Sequence, residues 1–172
     1  VLATQNPIEQ EATYPLPEAQ LDRFMFELNV GYPSFEEEER IVMATTGAVD
    51  VEIEPVLRGD EVLALQRLVR RMPTPPSIVK FAVGLARSTR PSEPNVLPDI
   101  KKYVSYGTGP RASQYLVLGA KARAAMDGRP VPDLDDVRSI AMTVLRHRLV
   151  MNFQSEAEGM GADRIVGLVL NR

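Results

Sequence analysis

The chain has 172 residues, a mass of 19.0 kDa and 44% hydrophobic residues, which suits one compact domain with a real core but not a large enzyme. Twenty Lys and Arg against 23 Asp and Glu give a net charge of −3, so no global positive field attracts nucleic acid or an anionic membrane. The absence of cysteine excludes disulfides and thiolate metal sites, and a single histidine, His147, excludes multi-histidine metal sites. Without a signal peptide or an apolar run of roughly 20 residues, we expect a cytoplasmic protein.

The first 35 residues have the pattern of an α/β segment. Residues 1–4 and 26–30 form two short strand-like runs, separated by a proline-bearing loop and a short amphipathic stretch over residues 17–24. Two strands and one short helix cannot build a core. Because the chain also opens in an apolar run without an initiator Met, we expect it to be the interior and end of a larger protein.

A helical pattern begins at Ser34, which is expected to cap a helix with an acidic first turn. Ile41 and Val42 should face inward on that helix. Asp60 is expected to cap a second helix, and Pro76 to open a third. Residues 89–98 are rich in proline, serine and asparagine and predict a loop.

The strongest helical signals lie in the second half of the chain. Pro110 predicts the first turn of a helix that runs to Met126 and stops at Gly128. Asp133 predicts the cap of a further helix with one apolar stripe, formed by Val137, Ile140, Ala141, Val144 and Leu145. His147 follows and is expected to end this helix rather than to act in catalysis. The predicted fold class is therefore an α/β fragment followed by a mainly α-helical domain.

Searches for complete catalytic motifs find none. The sequence contains no G-x-x-x-x-G-K-[ST] phosphate loop, no G-x-G-x-x-G, no G-x-S-x-G and no H-E-x-x-H. No metal-ligating set is assigned either. We therefore expect no complete catalytic constellation within these residues.

Three polar residues at the ends of predicted elements are candidate ligand contacts. Asn6 follows the first strand-like run, where it could orient a water or a phosphate oxygen, or simply form a turn before proline. Arg23 offers a planar cation suited to phosphoryl charge, or forms a surface ion pair with Asp22. Arg111 lies in the first turn of a helix, where the helix dipole disfavours a cation unless an anion binds it. It therefore either contacts an anionic ligand or is simply a solvated side chain.

Four segments resemble the MoxR family of AAA+ ATPases. They are ATQNP at residues 3–7, TYPLPEAQLDRF at 13–24, GPRASQ at 109–114 and LRHRL at 145–149, in this order. The resemblance covers nearly the whole chain. It implies that residues 1–35 are the C-terminal end of an AAA+ α/β core and that residues 36–172 are an all-α AAA+ lid domain.

The resemblance also implies roles for the candidate residues. Asn6 would be sensor 1, positioning the attacking water near the γ-phosphate, and Arg23 the arginine finger that reaches the nucleotide of a neighbouring subunit. Arg111, with Pro110 before it, would be sensor 2, the lid arginine that touches the bound nucleotide and senses it in cis. The family's phosphate loop and Mg²⁺-binding acidic residues are not in this chain, which therefore should not hydrolyse ATP by itself.

The implied function belongs to the complete protein. The resemblance suggests ATP and Mg²⁺ as cofactors, a hexameric ring, and chaperone-like remodelling or activation of client proteins, possible partners being von Willebrand A-domain proteins. Two alternatives stay open. One is a stand-alone helical protein-interaction module without catalysis. The other is a DNA-associated AAA+ relative, for which a cluster of Arg67, Arg70 and Arg71 is the only support; these arginines otherwise form a solvated helix face.

Overall fold

The computed structural model describes residues 2–5, 16–47 and 53–172, and most of them are helical. The helices are α1 (Glu18–Leu21), α2 (Phe35–Thr45), α3 (Gly59–Arg71), α4 (Pro76–Arg87), α5 (Pro98–Tyr103), α6 (Pro110–Met126), α7 (Leu134–Leu145), α8 (Phe153–Ala157) and α9 (Ala162–Leu170). Two short strands, β1 (Val104–Tyr106) and β2 (Val150–Met151), and a 3-10 turn at Arg146–Arg148 complete the described elements. No helix among them is long and apolar enough to cross a membrane.

The chain divides into two compact units. One comprises Val1–Glu27 and Met72–Arg172, and the other comprises Leu28–Arg71. The smaller unit contains α2 and α3, and the larger unit contains all the other elements.

The helices of the smaller unit start with local capping interactions. Ser34 caps α2 in a capping box, as predicted: its hydroxyl accepts from the Glu37 amide at 3.3 Å, and its own amide donates to the Glu37 carboxylate at 2.9 Å. The prediction for α3 is wrong by two residues, since a cap at Asp60 would start the helix at Glu61. This helix begins at Gly59, because the Glu61 carboxylate accepts from the Arg58 amide at 2.7 Å and moves the helix start ahead of Asp60.

The smaller unit has no buried apolar core in its described residues. Ile41 and Val42 of α2, predicted to face inward, are about half exposed, and neither α2 nor α3 has a buried residue. The apolar side chains of α3 are exposed as well, among them Leu65 and Leu68. The prediction fails because an amphipathic stripe is buried only where a second apolar surface covers it, and two helices provide too little.

The core of the larger unit lies between α4, α6, α7 and α9. Its largest fully buried apolar side chains are Ile100, Leu116, Val137, Val144, Leu145, Ile165 and Val166. Gly119 allows α6 and α7 to approach closely, because a Cβ at this position would lie 2.5 Å from Cδ1 of Ile140. The same Cβ would lie 3.2 Å from the Met25 methyl group, so the segment after α1 lies against this helix pair.

The predicted boundaries of α6 and α7 are confirmed. Helix α6 begins at Pro110 and ends at Met126, and Gly128 follows with a φ of +70°, a left-handed conformation that favours glycine. Asp133 caps α7 in a capping box with Asp136, and all five residues of the predicted stripe are buried. Residues 89–97 form the predicted loop, and α5 begins at Pro98.

The strands lie elsewhere than the sequence pattern indicates. Residues 26–30 form no strand, and neither do residues 2–4 of the other predicted run. The sheet instead pairs β1 with β2 in antiparallel orientation, with Val104 opposite Met151. An apolar alternating run becomes a strand only when another strand accepts its backbone hydrogen bonds. Residues 26–30 have no such neighbour among the described residues.

Candidate functional site

The structure places two of the three candidate site residues near each other. Arg23 follows α1 with an exposed guanidinium, whose Nη1 donates to the side-chain oxygen of Gln20 at 2.9 Å. Arg111 is the second residue of α6, after Pro110, and its Nη1 donates to Oδ2 of Asp22 at 3.1 Å. Asn6 lies outside the described residues, together with the rest of residues 6–15.

The contacts of Arg23 and Arg111 bear on their alternative interpretations, a surface ion pair with Asp22 for Arg23 and a solvated side chain for Arg111. The expected surface pair between Arg23 and Asp22 is not formed, because the Asp22 carboxylate instead binds Arg111 and Arg148. Arg111 is half exposed, with 49% of its side chain accessible, but it is not simply solvated. The carboxylate of Asp22 is the anionic partner that a cation in the first turn of a helix requires.

Arg148 joins the segment after α1 to the end of α7. Its side chain is only 1% exposed, and its Nε donates to Oδ1 of Asp22 at 3.1 Å. Its remaining donors bind main-chain carbonyl oxygens of Asp22 at 3.0 Å, of Met25 at 3.3 Å, and of Phe24 and Val144. The planar guanidinium can satisfy this many acceptors at once because its five N–H groups form a fixed fork.

Electrostatics explain how a buried cation is tolerated at this position. Burial lowers the pKa of the Arg148 guanidinium, while the Asp22 carboxylate raises it again and the charge of Arg111 lowers it further. The guanidinium also lies over the Tyr115 ring, 5.0 Å from its centroid. We name Asp22, Arg111, Tyr115 and Arg148 the Asp22 cluster.

The Asp22 cluster fixes the backbone from which Arg23 projects. The Tyr115 hydroxyl donates to the Arg23 carbonyl oxygen at 3.1 Å, and Arg148 binds the carbonyls on either side of it, at Asp22 and Phe24. The guanidinium of Arg23 itself stays exposed. The arrangement presents one exposed cation on an anchored main chain, which suits contact with an anionic group outside this fold.

His147 binds the same segment from the 3-10 turn that follows α7, where the sequence places the end of the helix. Its Nε2 lies 3.1 Å from the Phe24 carbonyl oxygen. A carbonyl only accepts hydrogen bonds, so Nε2 carries the hydrogen and Nδ1 is the atom that a second proton would occupy. Burial lowers the pKa of His147, and the charge of Arg148 lowers it further. The ring is therefore held neutral.

We expect stability to fall as the pH drops below about 6.5, the ordinary pKa of histidine. Below that pH the unfolded chain takes up a proton at His147 that the folded chain does not, because the folded-state pKa is lowered. The His147→Gln variant keeps a donor for the Phe24 carbonyl but cannot titrate. Urea unfolding at pH 7, 6 and 5 should show a steeper loss of stability with falling pH in the wild type than in the variant. Parallel profiles would contradict this assignment.

Sequence reasoning missed Arg148 and Tyr115. One signal for Arg148 was present: it lies four residues after Val144 and so continues the apolar stripe of α7 with a cation. A charged residue at a core-facing position predicts a buried partner, but its identity could not be read from spacing. Nothing comparable marks Tyr115, a single aromatic residue on α6.

The arginine cluster considered for DNA contact lies on α3. Arg67, Arg70 and Arg71 are exposed and share one helix face by their spacing. They belong to the smaller unit, whereas the Asp22 cluster belongs to the larger unit.

Family models and relatives match most of the chain. The family model for the AAA lid domain matches residues 99–167, and the model for the "ATPase family associated with various cellular activities" matches residues 1–26. The chain is 38% identical to the "Chaperone MoxR1" of Mycobacterium tuberculosis over 170 residues, which are 99% of this chain and 45% of that protein. It is 37% identical to the "Uncharacterized protein YeaC" of Bacillus subtilis, covering 99% of this chain and 51% of that protein. The chain thus spans about half the length of these relatives.

A solved structure shares the fold. A crystal structure of a "putative ATPase" from Cytophaga hutchinsonii matches with a TM-score of 0.89 at 31% identity, covering 97% of this chain and 51% of that one. The fold and these matches show that the chain is part of an AAA+ protein and includes its lid domain. More particularly, the chain belongs to the MoxR family of AAA+ ATPases.

Proposed function

We propose that the complete protein carrying this chain binds and hydrolyses ATP in a ring, hexameric in our view, and uses the energy to remodel or activate client proteins in the cytoplasm. One observation supports this most directly: Asp22, the residue before Arg23, binds the guanidinium of Arg111, which lies 89 positions away in the sequence. The contact ties Arg111 to the residue next to Arg23, and the family resemblance links both arginines to a nucleotide. The relationship to the "Chaperone MoxR1" supports the chaperone-like task.

The proposed domain organisation follows the same relationship. Residues 1–35 would be the C-terminal end of the AAA+ α/β core, and residues 36–172 the all-α lid. The AAA match to residues 1–26 and the lid match to residues 99–167 support this division on either side of the intervening segment.

The described residues fit part of an ATP site. Arg111 is half exposed and, within the described part of the chain, uses only Nη1, which donates to Asp22, so its further N–H groups can donate to a phosphate oxygen. Pro110 fixes the first turn of α6 beneath it. No group of three or more acidic or histidine side chains in the described ranges could hold a metal ion, and we assign no Mg²⁺ ligand to this chain.

The proposed roles divide the chemistry among three residues. Arg111 would hold a phosphate group and couple its presence to the position of α6. Arg23 would donate to the phosphoryl group at a neighbouring subunit's site, where a cation stabilises the charge that develops during transfer. Asn6 would orient the attacking water. Bound ATP with Mg²⁺ would supply the phosphoryl group, and the remaining machinery would lie outside these 172 residues.

The first test is the ATPase activity of the complete protein and its dependence on Arg111. We expect Mg²⁺-dependent hydrolysis by the full-length protein and none by the 172-residue chain. The Arg111→Ala variant should raise the KM for ATP about tenfold or more, because a hydrogen bond from a charged group is lost. Lys101→Ala, which changes an exposed cation on α5, is the matched control and should leave KM unchanged. An unchanged KM in Arg111→Ala would remove Arg111 from the site.

A further inference from the structure

The Asp22 carboxylate is shared between two different cations. Oδ1 accepts from Nε of Arg148 at 3.1 Å, and Oδ2 accepts from Nη1 of Arg111 at 3.1 Å. Arg148 is buried and is held by four carbonyl oxygens besides the carboxylate. Arg111 is half exposed, and among the residues that the structure describes its side chain donates to this carboxylate alone. Arg148 is therefore held by five acceptors at once, whereas Arg111 is held by one and faces solvent.

The charge balance of this region favours a second anion. Two guanidinium groups, those of Arg111 and Arg148, bind the single carboxylate of Asp22. Arg148 is buried, whereas Arg111 is half exposed. Like charges around one carboxylate leave a positive excess, and a phosphate group can relieve it by binding Arg111 from the solvent side.

We propose that Asp22 competes with the phosphates of the nucleotide for Arg111 and thereby sets the nucleotide affinity of the protein. Asp22 is in this sense a positioning residue: it touches Arg111, not the nucleotide. When Arg111 turns to a phosphate, Arg148 and the Tyr115 hydroxyl still hold the backbone of Asp22 and Arg23. The exchange therefore changes the partner of Arg111 without releasing the segment that carries Arg23. This inference rests on the proposed role of Arg111 in nucleotide binding.

The Asp22→Asn variant tests the competition selectively. Its side-chain oxygen can keep the hydrogen bond to Nε of Arg148, while the amide nitrogen replaces the oxygen that faces Arg111 and cannot accept from it. We expect the dissociation constant for ADP, measured calorimetrically on the full-length protein, to decrease about two- to fivefold, as is typical of losing a partly exposed competing ion pair. A merely structural role would not produce tighter binding.

A double-mutant cycle separates this inference from the proposed function. Arg111→Ala alone should weaken ADP binding, and adding Asp22→Asn to it should change nothing further. Unchanged or weaker binding by Asp22→Asn, in a protein that folds and assembles normally, would overturn the competition. An unchanged affinity in Arg111→Ala would instead overturn the role of Arg111. If Asp22→Asn does not fold, Asp22→Ser keeps an acceptor for Arg148 and must show the same tightening.

Discussion

Replacing Arg23 by alanine in the full-length protein should lower kcat for ATP hydrolysis by on the order of 10³-fold, the scale found when an arginine finger is removed. The structure supports so large an effect because the main chain at Arg23 is anchored by the Tyr115 hydroxyl while the guanidinium is exposed. An anchored main chain holds the cation in position beforehand, so little reorganisation is needed when the transition state forms. KM should change much less than kcat, since the contact would form in the transition state.

A mixing experiment distinguishes action on a neighbouring subunit from action within one subunit. The Arg23→Ala substitution would leave untouched the phosphate loop that we expect in the complete protein, so adding subunits that lack a working phosphate loop but keep Arg23 should restore part of the activity. No recovery on mixing would contradict a role in trans, and a wild-type rate for the single variant would contradict any role in catalysis. The variant and mixed rings must have the same size as the wild-type ring. The control substitution is Arg164→Ala, which replaces an exposed arginine on α9.

Replacing Arg148 by alanine should destabilise the larger unit by about 3–5 kcal/mol, as is usual when one member of a buried ion pair is removed. The variant leaves the Asp22 carboxylate with Arg111 alone, and it removes a donor from the carbonyl oxygens of Asp22, Phe24 and Met25. Unsatisfied buried acceptors add to the cost of the lost ion pair. Urea unfolding of the 172-residue chain gives the magnitude, and Arg164→Ala should stay within about 0.5 kcal/mol of the wild type.

A local readout accompanies this global one. Trypsin cleaves after arginine, and the peptide bond after Arg23 is protected when the flanking carbonyls are bound to Arg148. Cleavage there should therefore be faster in Arg148→Ala than in the wild type. Arg148→Lys keeps the charge but offers a single ammonium group, so its stability should lie between the two. An Arg148→Ala chain as stable and as protease-resistant as the wild type would show that the Asp22 cluster is not an anchor.

The features that sequence reasoning predicted correctly depend on residues within about four positions of each other. The capping boxes at Ser34 and Asp133 are local, as is the glycine stop after α6. The burial of the apolar stripe of α7 could also be predicted, because a helix with a strong apolar stripe is buried wherever enough other helices surround it. The same reasoning fails for α2, since the pattern cannot show whether a covering surface exists.

The strands and the site required the fold. An apolar run at residues 26–30 has strand propensity, but only a paired neighbour converts it into a strand, whereas β1 and β2 pair across 43 intervening residues without a strong pattern. Arg148 likewise lies 126 residues from Asp22, and nothing in the spacing connects them.

By itself, the sequence determined the boundaries of α6, the capped start and apolar stripe of α7, and the resemblance to the MoxR family, and it nominated Asn6, Arg23 and Arg111 as candidates. Only the tertiary structure decided that Arg111 binds Asp22, that Arg148 is buried beneath it, and that the backbone of Arg23 is anchored while its side chain is exposed. The physical reason is the range of the interactions. Caps and helical stripes are satisfied by near neighbours, whereas the partner of a buried charge is chosen by the packing of distant segments.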